Sequence, residues 1–310
     1  MLDTHMPALA VDGALRLDDW GVISAQGPDA TAFLNGQLTQ DMLHLDGTQA
    51  RLAGYCSAKG RLLASFVAWR GADDEIALAC SADLLPATLK RLSMFVLRAK
   101  CKLADASERL ALYGLAGPQA DALVGSATVA AWSTAARGSA RVIRLPTVDG
   151  VSRYLWAGLE APPLPALEMS AWRWLEVRSG LPRIVAATVD QFVPQMLNFE
   201  LVGGVNFKKG CYPGQEVVAR SQYRGTLKRR TYLLDSAAEL QPGQEVFHSA
   251  DPGQPAGMVV LAASAGAQRH AALVELKIAA LEGGTLHAGA ADGPLLRPAA
   301  LPYALEPLAA

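Results

Sequence analysis

Lys208-Lys209-Gly210-Cys211-Tyr212-Pro213-Gly214-Gln215-Glu216 is the densest run of chemistry in this 310-residue chain. Gly210, Pro213 and Gly214 bracket a thiol and a phenol. Such residues make sharp turns and let backbone approach a ligand closely. Two lysines precede Cys211, and neighbouring cations favour thiolate over thiol wherever the site is exposed. Gln215, Glu216 and Arg220 offer directional hydrogen bonds to an amide-rich heterocycle and a partner for a carboxylate tail. A lone cysteine is more often a small buried hydrophobe than a nucleophile. The residues by themselves therefore leave a functional Cys211 as the minority reading.

Outward from this run, Lys208 to Arg230 carries seven Lys or Arg against one Glu, in a chain whose net charge is -1. A general nucleic-acid binder carries a basic excess, so no direct nucleic-acid binding is expected. The local cluster suits a small anion. Arg220 to Arg230 read as a strand and turn, with no recognition helix for DNA.

Apolar residues make up 51% of the chain and charged residues 18%, the reverse of a disordered composition. The length allows two or three domains with a large core. No uncharged apolar run approaches the roughly 18–20 residues of a membrane span, so no membrane is expected. Met1 to Ala10 lacks the basic, then apolar, pattern of a secretory signal. Cys56, Cys80, Cys101 and Cys211 lie far apart with no C-x-x-C pair, which fits a reducing, cytoplasmic setting. The five histidines are isolated, and neither a zinc spacing nor a local iron–sulfur cysteine motif occurs. No metal site is therefore expected. Phosphate-loop and nucleophile-elbow motifs are also missing.

Trp20-Gly21-Val22-Ile23-Ser24 reads as a strand, and Gly27-Pro28-Asp29 as the turn into a helix. Leu62 to Trp69 and Glu75 to Cys80 read as a hairpin. Leu85, Leu89, Leu92 and Val96 are spaced for an amphipathic helix. Strands over 138–145 and 152–157 flank a tight Asp149-Gly150 turn. Ser170 is the expected cap of a helix that carries Trp172 and Trp174 and stops near Gly180. From position alone both tryptophans read as packing anchors. Beyond Arg230 five short strands, separated by Pro242-Gly243, Pro252-Gly253 and Gly283-Gly284, suggest a small β-barrel. Cys80 and Cys101 sit in apolar runs and are expected in the core, with Cys56 structural in a turn-rich setting.

Asn206 to Arg220 resembles the K-G-C-Y-x-G-Q-E signature of the YgfZ family, whose fold is related to the glycine-cleavage T-protein, a tetrahydrofolate-dependent aminomethyltransferase. Leu17-Asp18-Asp19-Trp20, Gly36-Gln37-Leu38-Thr39-Gln40-Asp41, Ala58-Lys59-Gly60-Arg61, Phe192-Val193-Pro194-Gln195, Tyr223-Arg224-Gly225 and Leu301-Pro302-Tyr303 resemble family segments too. The resemblance implies an α+β fold with two discontinuous α/β modules around a central folate-sized cavity over residues 1–230. A C-terminal β-barrel over 231–310 completes it. It implies binding of tetrahydrofolate or a derivative, and iron–sulfur client enzymes as partners, including one that methylthiolates tRNA. By motif, Trp20 and Trp172 become folate contacts, while Cys211 and Lys209 become the functional thiol and its amine; Gln215, Glu216 and Arg220 join the candidate folate contacts by their side-chain chemistry. T-proteins carry an Asn-Ala step and a catalytic Asp after the second hairpin strand. Here the Asn is missing and Asp83 is out of clear register, so aminomethyl transfer is not expected. A folate-dependent one-carbon transferase and a non-catalytic client-docking module remain the alternatives.

Overall fold

The computed structural model describes residues 10–125, 130–223 and 227–305. Residues 1–9 of the N-terminal stretch, and Arg224-Gly225, lie outside the described residues. The chain opens on β1 (Gly13–Arg16), which joins strands that come about a hundred residues later. A first module then forms from β2 (Trp20–Gln26), α1 (Ala30–Asn35), β3 (Arg51–Cys56), β4 (Leu62–Arg70), β5 (Ile76–Ser81), α2 (Leu85–Ser93) and β6 (Lys102–Asp105). Its sheet runs β3-β4-β5-β2-β6, antiparallel throughout. The second module contains β7 (Leu112–Ala116), α3 (Pro118–Val124), β8 (Thr134–Arg137), β9 (Ala140–Val148) and β10 (Val151–Ala157). Its sheet runs β1-β7-β10-β9-β8.

Period-two side-chain alternation explains why these strands read as nearly continuous apolar runs. On β4, Val67 and Trp69 point to one core while Phe66 and Ala68 point to another. The second of these cores holds Leu34 of α1 and Leu85 and Leu92 of α2. In the other module, Val142, Tyr154 and Trp156 pack with Ala120 and Val124 of α3, while Ile143, Leu145 and Leu155 face inward. Helices thus cover the outer face of each sheet, and the inner faces look at each other across one shared core.

Into that core runs α4 (Met169–Arg178). Trp172 and Leu175 pack between the sheets, while Trp174 and Val177 pack toward the C-terminal strands. The shorter α5 (Gln215–Tyr223) follows the signature segment. A closed barrel then forms from β11 (Arg229–Ser236), β12 (Glu245–His248), β13 (Asp251–Ser264), β14 (His270–Lys277), β15 (Leu286–Ala288) and β16 (Leu295–Ala299), in the order β11-β14-β13-β12-β15-β16.

Several local expectations change. Glu168, not Ser170, is the residue before α4, and it makes no side-chain cap bond. The helix at α2 stops at Ser93, so Val96 falls in a turn. Arg220 lies on a helix, not in a strand and turn. The barrel has a sixth strand, β16, and Pro252-Gly253 lies inside β13. Bulges displace the pairing of β12 beside that stretch, and proline is tolerated at such interruptions. Cys101 is partly exposed, not core.

Candidate functional site

Residues four and seven apart on a helix share a face. Trp172 and Glu176 of α4, with Ser179 just past its end, accordingly line one chamber between the two sheets. Trp20 enters it from β2, Arg153 from β10, and Trp132 and Arg183 from loops. Its volume is about 50 Å³, room for roughly four waters. Trp172 lies flat over Gly114 of β7: a Cβ added there would stand 2.7 Å from the indole ring. The absence of a side chain at 114 is what lets this tryptophan wall the chamber.

The chamber's polar groups are incompletely paired. The indole Nε1 atoms of Trp20 and Trp172 are buried without hydrogen-bond partners, as is Oδ1 of the adjoining Asp19. Buried polar groups left unpaired cost roughly 1–3 kcal/mol each, so these atoms call for a partner from outside the chain, an ordered water or a ligand. Arg153 is fully buried, donates from Nε to the Pro146 carbonyl at 3.3 Å, and stands 5.7 Å from the Trp172 ring centre. Burial lowers its pKa to about 10, against the pull of Glu176. Arg183 donates to Ser81 Oγ at 2.8 Å and to Asp19 Oδ2 at 3.0 Å. Its Nε stands 3.1 Å from Glu176 Oε1, an ion pair without hydrogen-bond alignment. Burial pulls its pKa down, but Glu176 and Asp19 outweigh this and raise it.

Arg183 and Glu176 also line a second, larger cavity of about 660 Å³, shared with Asp19, Asp83, Arg173 and the barrel residues Gln241 and Pro242. Asp83, the residue in doubtful register with the T-protein carboxylate, accepts a hydrogen bond from the Ala186 N–H at 2.9 Å here. The small chamber and this vestibule are separated by the Arg183 and Glu176 side chains.

The signature segment packs elsewhere, over the turn between β3 and β4. Gly214 has φ +79°, and a Cβ there would stand 2.4 Å from the Ser57 carbonyl. Both facts require glycine. Lys209 reaches the end of α1, where Nζ donates to the carbonyls of Asn35 and Leu38. It also stands 4.8 Å from the Tyr212 ring centre. Burial lowers the Lys209 pKa to about 8, opposed by Asp41 and Cys211. Cys211 is exposed and lines neither cavity. Gln215, Glu216 and Arg220 ride on α5, outside the tryptophan chamber. Glu216 and Arg220 form an exposed pair at 3.3 Å beside Tyr223.

The structure thus brings Trp20 and Trp172 together, and places Lys209 with Cys211 in a separate cluster. Trp132, Arg153, Glu176 and Arg183 were missed in the sequence. Two carried a readable signal. Glu176 is one turn from Trp172, and Arg153 is two residues from inward Leu155 on β10 and so shares its face. Trp132 adopts φ +69°, a conformation rare for a bulky residue and common at functional sites. Arg183 reaches the chamber through tertiary packing only. Among the described residues, no group of three or more His, Cys, Asp or Glu is placed to hold a metal ion, and no helix is long and apolar enough to cross a membrane.

A family model for the GCVT N-terminal domain matches residues 15–155. The chain is 35% identical over 259 residues to a tRNA-modifying protein YgfZ of Edwardsiella ictaluri, covering 74% of this chain and 72% of that one. It is 32% identical to the protein of the same name in Klebsiella pneumoniae, over 74% of this chain and 73% of the relative. The corresponding figures for the Vibrio vulnificus protein of that name are 34%, 76% and 72%. Among solved structures, the glycine cleavage system aminomethyltransferase T of Bartonella henselae superposes with a TM-score of 0.73 at 17% identity, over 92% of this chain and 84% of that one. The last likeness is one of fold.

Proposed function

This chain belongs to the YgfZ family, and from that premise we propose that it is a tetrahydrofolate-binding accessory factor acting in tRNA modification. It supports the synthesis or repair of iron–sulfur enzymes, including one that methylthiolates tRNA, and Cys211 is its working thiol. The observation that carries the folate reading is the pair of unpartnered indole N–H groups in the chamber between the sheets. A pterin is flat and carries acceptors and donors on its edges. It suits the tryptophan faces, the two indole donors and the orphaned Asp19 oxygen together. Trp20, Trp172, Arg153 and Glu176 would hold the ring, and Arg173 in the vestibule would meet an anionic tail. A bicyclic ring needs more room than about four waters occupy, so its entry requires Arg183 to swing from the wall between the cavities. Bound tetrahydrofolate supplies a carrier for one-carbon units. The protein's part is to bind and orient it and to exclude water.

Cys211 lies outside both cavities, so in this reading it meets a partner protein at the surface and does not react with the folate ring. Lys209 anchors the segment that presents it. Glu216 and Arg220, exposed on α5, and the half-buried Gln215 beside them belong with that presenting surface and not with the ring.

Calorimetric titration with tetrahydrofolate, read alongside tryptophan fluorescence, tests the ligand. Heat of binding with quenching is expected, and neither in a folded sample would remove the folate claim. For the thiol, Cys211→Ala is expected not to restore iron–sulfur enzyme activity or tRNA methylthiolation in a deletion strain. Full rescue would sink it.

A further inference from the structure

Of the eight large apolar side chains exposed among the described residues, three fall between Met94 and Leu97. Met94 is the C-cap of α2. Leu97 is 86% exposed and held at φ +43°, where a branched aliphatic side chain gains nothing from folding and strains the backbone. The stretch from the last turn of α2 through this loop to the first residue of β6 is strongly basic. Lys90, Arg91, Arg98, Lys100 and Lys102 are exposed, and residues 90–102 contain no Asp or Glu. Among the described residues, none of the five cations is ion-paired to a carboxylate. Asp29 spends Oδ2 on the Lys100 backbone N–H at 2.7 Å, and Asp105 closes the cluster at the far end of β6. Cations at a helix C-terminus have an ordinary explanation in the helix dipole, which serves Lys90 and Arg91. It does not serve Arg98, Lys100 and Lys102, which lie beyond the helix.

We propose that the loop joining α2 to β6, with the exposed Phe95 just past the helix end, is a contact surface for an unpaired stretch of RNA. The chain as a whole is nearly neutral, so five cations without a carboxylate partner between the last turn of α2 and the start of β6, of which Arg91 also meets the Tyr55 hydroxyl, are a local feature that matches a polyanion. Phe95 is 44% exposed and presents an aromatic face to which a splayed base can stack, with guanidinium and ammonium groups on either side for the phosphates. The choice of RNA over another polyanion rests on the tRNA-linked function proposed above. The proposal departs from the expectation, drawn from net charge, that the chain makes no direct nucleic-acid contact.

The test is fluorescence anisotropy of a short unstructured RNA oligonucleotide, and of bulk transfer RNA, against the full chain over a series of salt concentrations. The logarithm of affinity is expected to fall with the logarithm of salt at a slope of about -3, as four or five phosphate contacts dictate. Arg98→Ala with Lys100→Ala should flatten that slope by about one unit and weaken binding roughly tenfold. Phe95→Ala should weaken it about fivefold or more with the slope unchanged. Arg297→Ala, an exposed cation on β16, should change neither. Equal losses from Arg297→Ala, or no RNA binding at low salt, overturn the proposal. So does capture of the wild-type chain by phosphatidylglycerol-containing vesicles through Phe95 while RNA is ignored. Tetrahydrofolate quenching on the same samples keeps the readings apart: the loop variants should retain it, and its absence counts against the folate site and leaves the RNA result standing.

Discussion

The guanidinium carbon of Arg183 stands 4.8 Å from the centre of the Trp20 ring. Its nitrogens meanwhile hold Asp19 and Glu176. One side chain therefore caps an aromatic wall, neutralises two carboxylates and separates two cavities. Removing it leaves Glu176 without its ion-pair partner in a largely desolvated position and Asp19 with only Arg173, at 3.7 Å, a change that costs about 3–5 kcal/mol. Arg183→Met should lower the melting temperature by roughly 6–12 °C. A shift under about 2 °C would mean that the network is slack and carries little of the fold's stability.

Gly114 and Trp172 set a second expectation. Gly114 has no left-handed backbone requirement, and the nearest atoms to an alanine Cβ there belong to the indole ring, at 2.7 Å. Overpacking of this kind costs about 1–3 kcal/mol. Gly114→Ala should shift tryptophan emission, since the ring must tilt, and should weaken tetrahydrofolate binding about tenfold or more. An unshifted spectrum with unchanged affinity would show that Trp172 does not form the wall that matters.

The four thiols should label in a fixed order. Burial raises Cys56 and Cys80 to about 12, which at pH 8 leaves roughly one thiolate in ten thousand. Cys101 is partly exposed, with burial again raising its pKa. Cys211 is exposed. Mass spectrometry after brief treatment with N-ethylmaleimide should find Cys211 modified first, Cys101 second, and Cys56 and Cys80 only after denaturation. Early labelling of Cys56 would show that the turn between β3 and β4 opens in solution.

What could be read from the chain follows from how local each signal is. The β4 and β5 hairpin and the Asp149-Gly150 turn between β9 and β10 are written in neighbouring residues, and their pairing is as expected. The partner of β1 is not local: Gly13 faces Ala116 across the sheet, and no short pattern announces it. The last barrel strand hides because Leu295, Arg297 and Pro298 are exposed and break the alternation. The site divides in the same way. Trp20 and Trp172 were reached through resemblance, and helical spacing from Trp172 leads to Glu176. Arg183 depends on a loop returning to β2, and sequence spacing has no access to that. The signature segment misled in one respect. Its glycines do bring backbones together, but the backbone they approach is the Ser57–Gly60 turn.

Lys209 gives a prediction with a definite sign. Burial holds its folded pKa at about 8, against 10.5 for the free side chain. Between those values the unfolded chain binds a proton that the folded chain does not, so this group's contribution to stability rises with pH across that window. Below about pH 8 both states are protonated, and the contribution is flat. Lys209 is only half-buried, so solvent screens much of the effect. The rise should be modest, and the tyrosines and buried cysteines with raised pKa values oppose it at high pH. Comparison with Lys209→Met cancels those shared terms. Denaturant unfolding of both proteins from pH 7.5 to 9.5 should show the stability of the wild type climbing relative to the variant. Parallel curves would mean that the amine is solvated, and that its bonds to the Asn35 and Leu38 carbonyls do not hold the signature segment against α1.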